Sequence, residues 1–485
     1  MNGLAMHAAA PSRRALARGI LARRAIARRL LLALGWALIV LALLLGALWA
    51  TLRAALAPQA GEWATEIGRG PFKLQASVPQ LVWLATTPWI GPALNGARVS
   101  SRAGPITLGW ASAGAGYPKP VLTLRCEPCA LPLPAALGQE SLTAPALRLA
   151  LSRDQVQNLR GTLLLEAISP QGERAAIEAQ WQARRHGPGW DVTMHWPEAP
   201  ARHWLALLAP DLPELRVARI EGGVSASARL QWPAGQFELT PQALGLAVSG
   251  LGTESWAHAQ SSCGPQRTLD ANGWLARAVL AAEDQRFYEH PGYDLNEMLA
   301  SLAANQQHAA IQRGGSTLTQ QVAKLMAAGD ERTLRRKLRE LLYAVEIEQT
   351  LGKARILQLY LNQAPWGRAA DGRLVCGADA AARHYFGVPA QRLNARQAVT
   401  LAAMLHNPDR EAWRWASEGS VSPARLTWVA EQIRGVPVRQ RRALANRLRA
   451  ELRPEPALPA APASAPDAPG TVVTAEAGKS ECLAR

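Results

Sequence analysis

Hydrophobic positions change their spacing three times along the chain. Residues 30 to 52, LLLALGWALIVLALLLGALWATL, run without a charge, long enough to cross a bilayer core as a helix. From about residue 70 to 258 the period is two. Trp190, Val192, Met194 and Trp196 alternate with Asp191, Thr193 and His195, while Val224, Ala226, Ala228, Leu230 and Trp232 alternate with Ser225, Ser227, Arg229 and Gln231. Leu147, Leu149 and Leu151 repeat the signal. These are half-buried strands, with SPQGE and HGPGW as turns, and they predict a β-rich region built as a curved or sandwich-like sheet. From about residue 270 the period lengthens to that of helices. In DERTLRRKLRELLYAVEIEQTLG, Leu334, Leu338, Leu341 and Val345 form one stripe, with Asp330 as N-cap and Gly352 as the stop. After residue 453, RPEPALPAAPASAPDAPG is too poor in bulky apolar groups to build a core, which predicts a disordered tail.

Charge orients this layout. The first 29 residues hold Arg13, Arg14, Arg18, Arg23, Arg24, Arg28 and Arg29 and no acid, so the positive-inside rule keeps them cytoplasmic and sends the remainder across. A secretory signal has a shorter apolar core, and Pro58 directly after Ala55-Leu56-Ala57 disfavours cleavage, so the segment reads as an uncleaved anchor. The chain therefore divides into a basic cytoplasmic leader (1–29), a transmembrane anchor (30–52), a β-rich domain (53–260), a helical domain (264–415), a C-terminal helical extension (416–452) and a Pro/Ala-rich tail (453–485). In a bacterium this is a single-pass protein of the inner (cytoplasmic) membrane with its folded part in the periplasm. Of the net charge of +16, seven positive charges belong to the leader. The remaining +9 requires no nucleic-acid partner and suits anionic headgroups or a diphosphate substrate. The β-rich domain carries no chemical motif and weakly resembles AsmA-like periplasmic domains. Its reading is a scaffold or a surface for cell-wall synthesis proteins.

The chemistry concentrates in the helical part. ED-x-x-F-x-x-H-x-G spans Glu283 to Gly292, GGST-L-TQQ spans Gly314 to Gln321, RK-x-x-E spans Arg336 to Glu340, and IL-x-LYLN spans Ile356 to Asn362. Singly, each has an ordinary explanation: a solvated helix end, a turn followed by a helix capped by Ser316 or Thr317, a basic surface helix with an Arg336–Glu340 pair, and a core segment. Their joint order and spacing weigh against coincidence.

That ordered set resembles the peptidoglycan glycosyltransferases of family 51, which occur as monofunctional transglycosylases and as the first domain of bifunctional penicillin-binding proteins. The resemblance covers roughly residues 265 to 410 and implies a mainly α, lysozyme-like glycosyltransferase domain. It also implies a reaction. The 4-hydroxyl of an acceptor GlcNAc on lipid II attacks the anomeric carbon of a lipid-diphosphate-linked MurNAc, extending a glycan strand with inversion and releasing undecaprenyl diphosphate. Glu283 matches the family's general base, because a sugar hydroxyl is a weak nucleophile that needs a carboxylate at its proton. Asp284 orients that segment, and Phe287, His290 and Gly292 shape its turn. Ser316, Gln321, Lys324, Arg332 and Lys337 match the groups that bind the substrate's diphosphate, and Glu340 is the second catalytic carboxylate, organising that cationic site. The site leaves room for Mg²⁺ or another divalent cation, although no ligand set demands one, and no organic cofactor is implied. Residues 293 to 312 match the part of the fold that leans into the bilayer.

The sequence departs from the pattern at Leu325, where Asn is usual, at Gln358 and Gln397, where Glu is usual, and in a longer connection between Asn362 and Tyr385. These departures keep a second reading open: a non-enzymatic envelope scaffold with a degenerate transferase domain. After residue 410 no S-x-x-K with a later KTG follows, which predicts a monofunctional enzyme. Five cysteines lie beyond the anchor. Cys126 and Cys129 are close enough for a local bridge, Cys482 lies in the tail, and Cys263 and Cys376 remain as partners across the helical domain.

Overall fold

The computed structural model describes residues 13–451 apart from 63, 69–72, 102, 114–118, 133–140, 156–157, 233–234, 259–262, 299–314 and 328–333. The expected tail, Asp330, Arg332 and most of 293–312 lie outside the described residues. Helix α1, Arg13–Leu56, carries the apolar segment Leu31–Leu56, which is mostly exposed up to its buried last residue and long enough to cross a membrane. It runs four residues past the expected end of the anchor, because Leu56 buries itself against Leu74 and Ala76 with Trp49, Leu81 and Leu84 beside it.

Strands β1 (Ala64–Ile67) and β2 (Leu74–Ser77) form a hairpin that leads into α2 (Val78–Ala85). The strands that follow are β3 (Arg98–Ser101), β4 (Gly104–Ala111), β5 (Val121–Cys126), β6 (Cys129–Pro132), β7 (Ser141–Ala144), β8 (Ala146–Gln155), β9 (Asn158–Ile168), β10 (Arg174–His186) and β11 (Gly189–Pro200). After α3 (Ala201–Leu208) come β12 (Arg219–Trp232) and β13 (Gln236–Ser249). Nine of them make one antiparallel sheet in the order β13-β12-β11-β10-β9-β8-β5-β4-β3, while β6 and β7 pair separately. The sheet is a single layer rather than a sandwich. Its two faces follow from period-two burial: along β10, Ala175, Ile177, Ala179, Trp181 and Ala183 are buried and the residues between them are mostly exposed. Helix α3 covers one part of the apolar face, with Ala206 and Leu207 on Leu165, Ala175 and Ile177. Helix α2 covers another, with Val82 and Ala85 on Leu122, Leu151 and Trp181. The opposite face is polar, with Gln180 aligned between Thr162 and His195.

The helical domain comprises α4 (Trp274–Glu283), α5 (Leu318–Met326), α6 (Leu334–Thr350), α7 (Gly352–Gln363), α8 (Ala378–Phe386), α9 (Ala395–Met404), α10 (Pro408–Glu418), α11 (Pro423–Gln432) and α12 (Val438–Glu451). The division expected at residue 415 falls inside one core. Val429, Ala430 and Ile433 of α11 and its exit, and Leu448 of α12, bury with Val279, Leu401 and Met404. The lengthened connection folds as a hairpin of β14 (Pro365–Arg368) and β15 (Leu374–Cys376). Trp366 anchors it, fully buried, with its indole N–H donating to Leu401 O at 2.9 Å.

Helix α6 belongs to both regions. Leu338, Leu341, Leu342 and Val345 pack with Leu205, Leu212, Leu215 and Val248 of the β-rich region. Arg339 pairs with Glu214 at 2.7 Å, the Leu251 N–H donates to Glu346 at 3.0 Å, and Tyr343 stacks on Trp256 at 5.5 Å. One side of α6 is therefore clamped along its length by the sheet region.

Candidate active site

Helix α4 buries Leu275, Ala276, Ala278, Val279, Ala281 and Ala282 and ends at Glu283, which thus emerges from the core with little solvent around it. Its carboxylate is held from two sides. Gln321 Nε2 on α5 donates to Glu283 Oε2 at 3.0 Å, and Tyr360 on α7 donates its hydroxyl to Gln321 Oε1 at 3.2 Å, which fixes the amide's orientation. Arg425 on α11 lies 3.8 Å from Oε1 and is itself located by a 2.8 Å bond to Ala282 O and by stacking 4.3 Å over Trp428. Burial raises the Glu283 pKa above the usual carboxylate value, and the Gln321 hydrogen bond, Arg425 and His406 counter part of that rise. Burial and the Glu283 charge push Tyr360 well above the usual phenol value, so it stays a donor.

Asp284 braces the neighbouring turn. It receives the Leu318 N–H at 2.7 Å and lies 3.0 Å from His290 Nε2, while His290 Nδ1 accepts from the Gly292 N–H at 3.1 Å. The last contact makes Nδ1 the acceptor and Nε2 the protonated nitrogen. Gly292 sits at φ +88°, and a Cβ there would lie 2.5 Å from Glu348 Cγ and 2.9 Å from Ala344 O. The turn thus packs against α6. Thr317, rather than Ser316, is the N-cap of α5, in a capping box with Gln320.

That cap leaves Ser316 to the second cluster. Lys337 Nζ donates to Ser316 Oγ and, at 2.7 Å, to Glu340 Oε2; Arg336 donates to Glu340 Oε1. Glu340 is buried with both oxygens engaged by cations. Lys324 lies on the exposed side of α5. Thus Glu283 with Gln321, and Ser316 with Lys337 and Glu340, flank the start of α5. Glu340 bridges two cationic side chains, and among the described residues no three of His, Cys, Asp and Glu converge.

A buried carboxylate and a cluster of cations at the start of the same helix are suited to glycosyl transfer from a diphosphate, and comparison with known proteins agrees. Residues 265–434 match the family model described as Transglycosylase. This segment is similar to transglycosylase domains. It is 44% identical over 159 residues to the biosynthetic peptidoglycan transglycosylase of Ectopseudomonas mendocina, covering 33% of this chain and 62% of that one. It is 47% identical over 141 residues to that of Bordetella avium, covering 28% and 57%. The chain spans about three fifths of the length of the curated relatives it matches. Within the matched segment, Arg425 and His406 are site residues that sequence reasoning missed. Both lie beyond the fourth motif, in segments without local signature.

Leu325 is exposed, while the other departures from the family pattern are local bracing. The Gln358 amide accepts from the Leu269 N–H at 3.0 Å and donates to Leu269 O at 2.6 Å. Gln397 closes the capping box of α9 with Asn394, as Glu does in the same position. The Cys263–Cys376 bridge is present, with Cα atoms 5.3 Å apart, and ties the hairpin to the entrance of the domain; Cys126–Cys129 is bridged as well.

Proposed function

We propose that the transglycosylase domain polymerises lipid II into glycan strands. The observation that carries this reading is Glu283, a largely buried carboxylate oriented by Gln321 and set across the start of α5 from the Ser316–Lys337–Glu340 cluster. Glu283 takes the proton of the acceptor's 4-hydroxyl as that oxygen bonds to the anomeric carbon. The bond from that carbon to the diphosphate breaks with inversion, and Lys337 with Ser316 meets the charge that develops on the leaving group. Glu340 holds Lys337 in place and is a positioning residue, since both its oxygens are engaged. Helix α1 tethers the domain to the bacterial inner membrane, with the arginine-rich leader inside and the folded part in the periplasm.

The test is incubation of the purified full-length protein in detergent with labelled lipid II. We expect glycan strands sensitive to a muramidase from the wild type, and a fall of roughly 10²- to 10⁴-fold for Glu283→Gln. No polymer from the wild type across lipid and metal conditions would overturn the reading in favour of a scaffold. Equal polymer from Glu283→Gln would remove Glu283 from the mechanism.

A further inference from the structure

The outer end of α1 is embedded in the folded part of the chain. Helix geometry sets the height of that contact: along the axis from Leu31, Trp49 lies about 27 Å away and Arg53 about 33 Å. The hydrocarbon core is about 30 Å thick. The cluster of Leu56 with Leu74, Ala76, Leu81 and Leu84 therefore sits at headgroup level.

Helix α2 leaves that cluster with three faces. Leu81 and Leu84 point to the anchor, Val82 and Ala85 point to the sheet, and Trp83 points outward, 42% exposed. Trp89, a few residues on, is 72% exposed. The same end of the sheet carries two more exposed rings. The turn between β10 and β11 is tied to the segment after the anchor by Arg185–Glu62 at 2.9 Å. Register sets the β12–β13 turn next to it, with Trp190 opposite Trp232 and Leu230 opposite Phe237. Trp232 is 40% and Phe237 60% exposed, on the face that carries α2. Arg153 stacks 4.9 Å over Trp83, and Arg185 lies near the end of β10 on the face shared with Trp190 and Trp232. Exposed indoles beside cationic side chains match the chemistry of a lipid headgroup layer, where amphipathic rings are favoured.

We propose that Trp83, Trp89, Trp232 and Phe237 form an aromatic rim that rests in the headgroup layer of the bilayer spanned by α1. The rim holds the sheet to the membrane at a second place, beyond the anchor. This proposal rests on α1 as a membrane span and is independent of the enzymatic reading.

The test uses the full chain with Cys482→Ser and, one at a time, Trp83→Cys, Trp89→Cys, Phe237→Cys, Trp36→Cys within the anchor, and Gln180→Cys on the opposite sheet face. Each is labelled with an environment-sensitive fluorophore, leaving both disulfides closed, in vesicles of phosphatidylethanolamine and phosphatidylglycerol. Nitroxides are placed on the headgroup or mid-chain. Headgroup nitroxide should quench the rim positions at least about threefold more than position 180, and mid-chain nitroxide should quench position 36. Quenching at position 36 with rim positions no different from 180 would overturn the rim. Loss of quenching at 36 as well would overturn the anchor, and the rim with it. Trp89 is exposed enough to be replaced without loss of fold, so it decides the matter if Trp83→Cys does not fold.

Discussion

Arg425 places a guanidinium nitrogen 3.8 Å from the Glu283 carboxylate, joining the last helix of the matched segment to the end of its first. The cation opposes the burial that raises the Glu283 pKa. In the proposed mechanism Glu283 acts as a base only when ionised, so polymerisation should fall as pH drops through its raised pKa, above the ordinary Glu value. Arg425→Met removes the opposing charge and should move this acidic limb to higher pH, while Arg425→Lys should restore part of it. A pH–rate profile of the three proteins with lipid II measures the shift.

The same burial makes a statement about stability. For a carboxyl whose folded pKa is raised, the stabilising contribution is complete below the unfolded value and is lost as pH rises through the folded value. Above its raised folded pKa, ionised Glu283 therefore weakens the fold. Glu283→Gln should unfold at the same temperature as wild type or higher in that range, while activity is lost. Thermal melts at pH 5 and pH 8 test the sign, because the gain should shrink at the lower pH.

Glu340 should behave in the opposite way. Removing its charge leaves Arg336 and Lys337 facing each other in a buried setting, so Glu340→Gln should cost about 3 kcal/mol. Lys337→Met should keep more of the stability but lose about 10²- to 10³-fold in turnover, as expected for a group that meets charge on a leaving oxygen. The double variant should be less destabilised than the sum of the two singles, and denaturant midpoints of the four proteins measure that coupling.

Gln358 and Gln397 should respond differently to reversion. Gln397→Glu keeps the capping box of α9 and should change stability by no more than about 0.5 kcal/mol. Gln358→Glu sets a carboxylate against Leu269 O, where the amide now donates at 2.6 Å. It should cost about 1 to 3 kcal/mol. Urea denaturation of the two variants separates the cases.

The Cys263–Cys376 bridge closes 113 residues. Opening it with paired serines should cost about 4 to 5 kcal/mol in the chain-entropy model. Chemical denaturation measures the loss, and non-reducing peptide mapping of the wild type should recover the linked peptide.

Much of this architecture was legible because burial writes its period into the chain. The alternation from Trp190 to Trp196 is β11, and the stripe from Leu334 to Val345 is the clamped side of α6. The site was legible where its chemistry sits in short segments, as with Glu283 and with Lys337 three positions before Glu340. Arg425 was not, because one arginine in an amphipathic helix carries no mark of the carboxylate it meets across the fold. The shared core of α9, α11 and α12 was hidden in the same way: it depends on which apolar stripes meet, and a stripe does not name its partner. Gln358 and Gln397 resembled losses in the sequence, since a motif shows residue types and not the hydrogen bonds they complete.

The two ends of β10 carry different attachments, and this sets how the molecule lies. At its C-terminal end Arg185 bonds Glu62, close to the anchor; before its N-terminal end Gln171 donates to Leu215 O, in the turn packed on α6. At about 3.4 Å per residue these ends are about 40 Å apart. Lipid-linked substrates stay in the bilayer, so strands standing along the membrane normal would hold α6 out of their reach. If the domain acts on lipid-linked sugars as proposed, the strands run nearly parallel to the membrane plane, like a beam laid along the surface, with the tether at one end and the proposed site at the other.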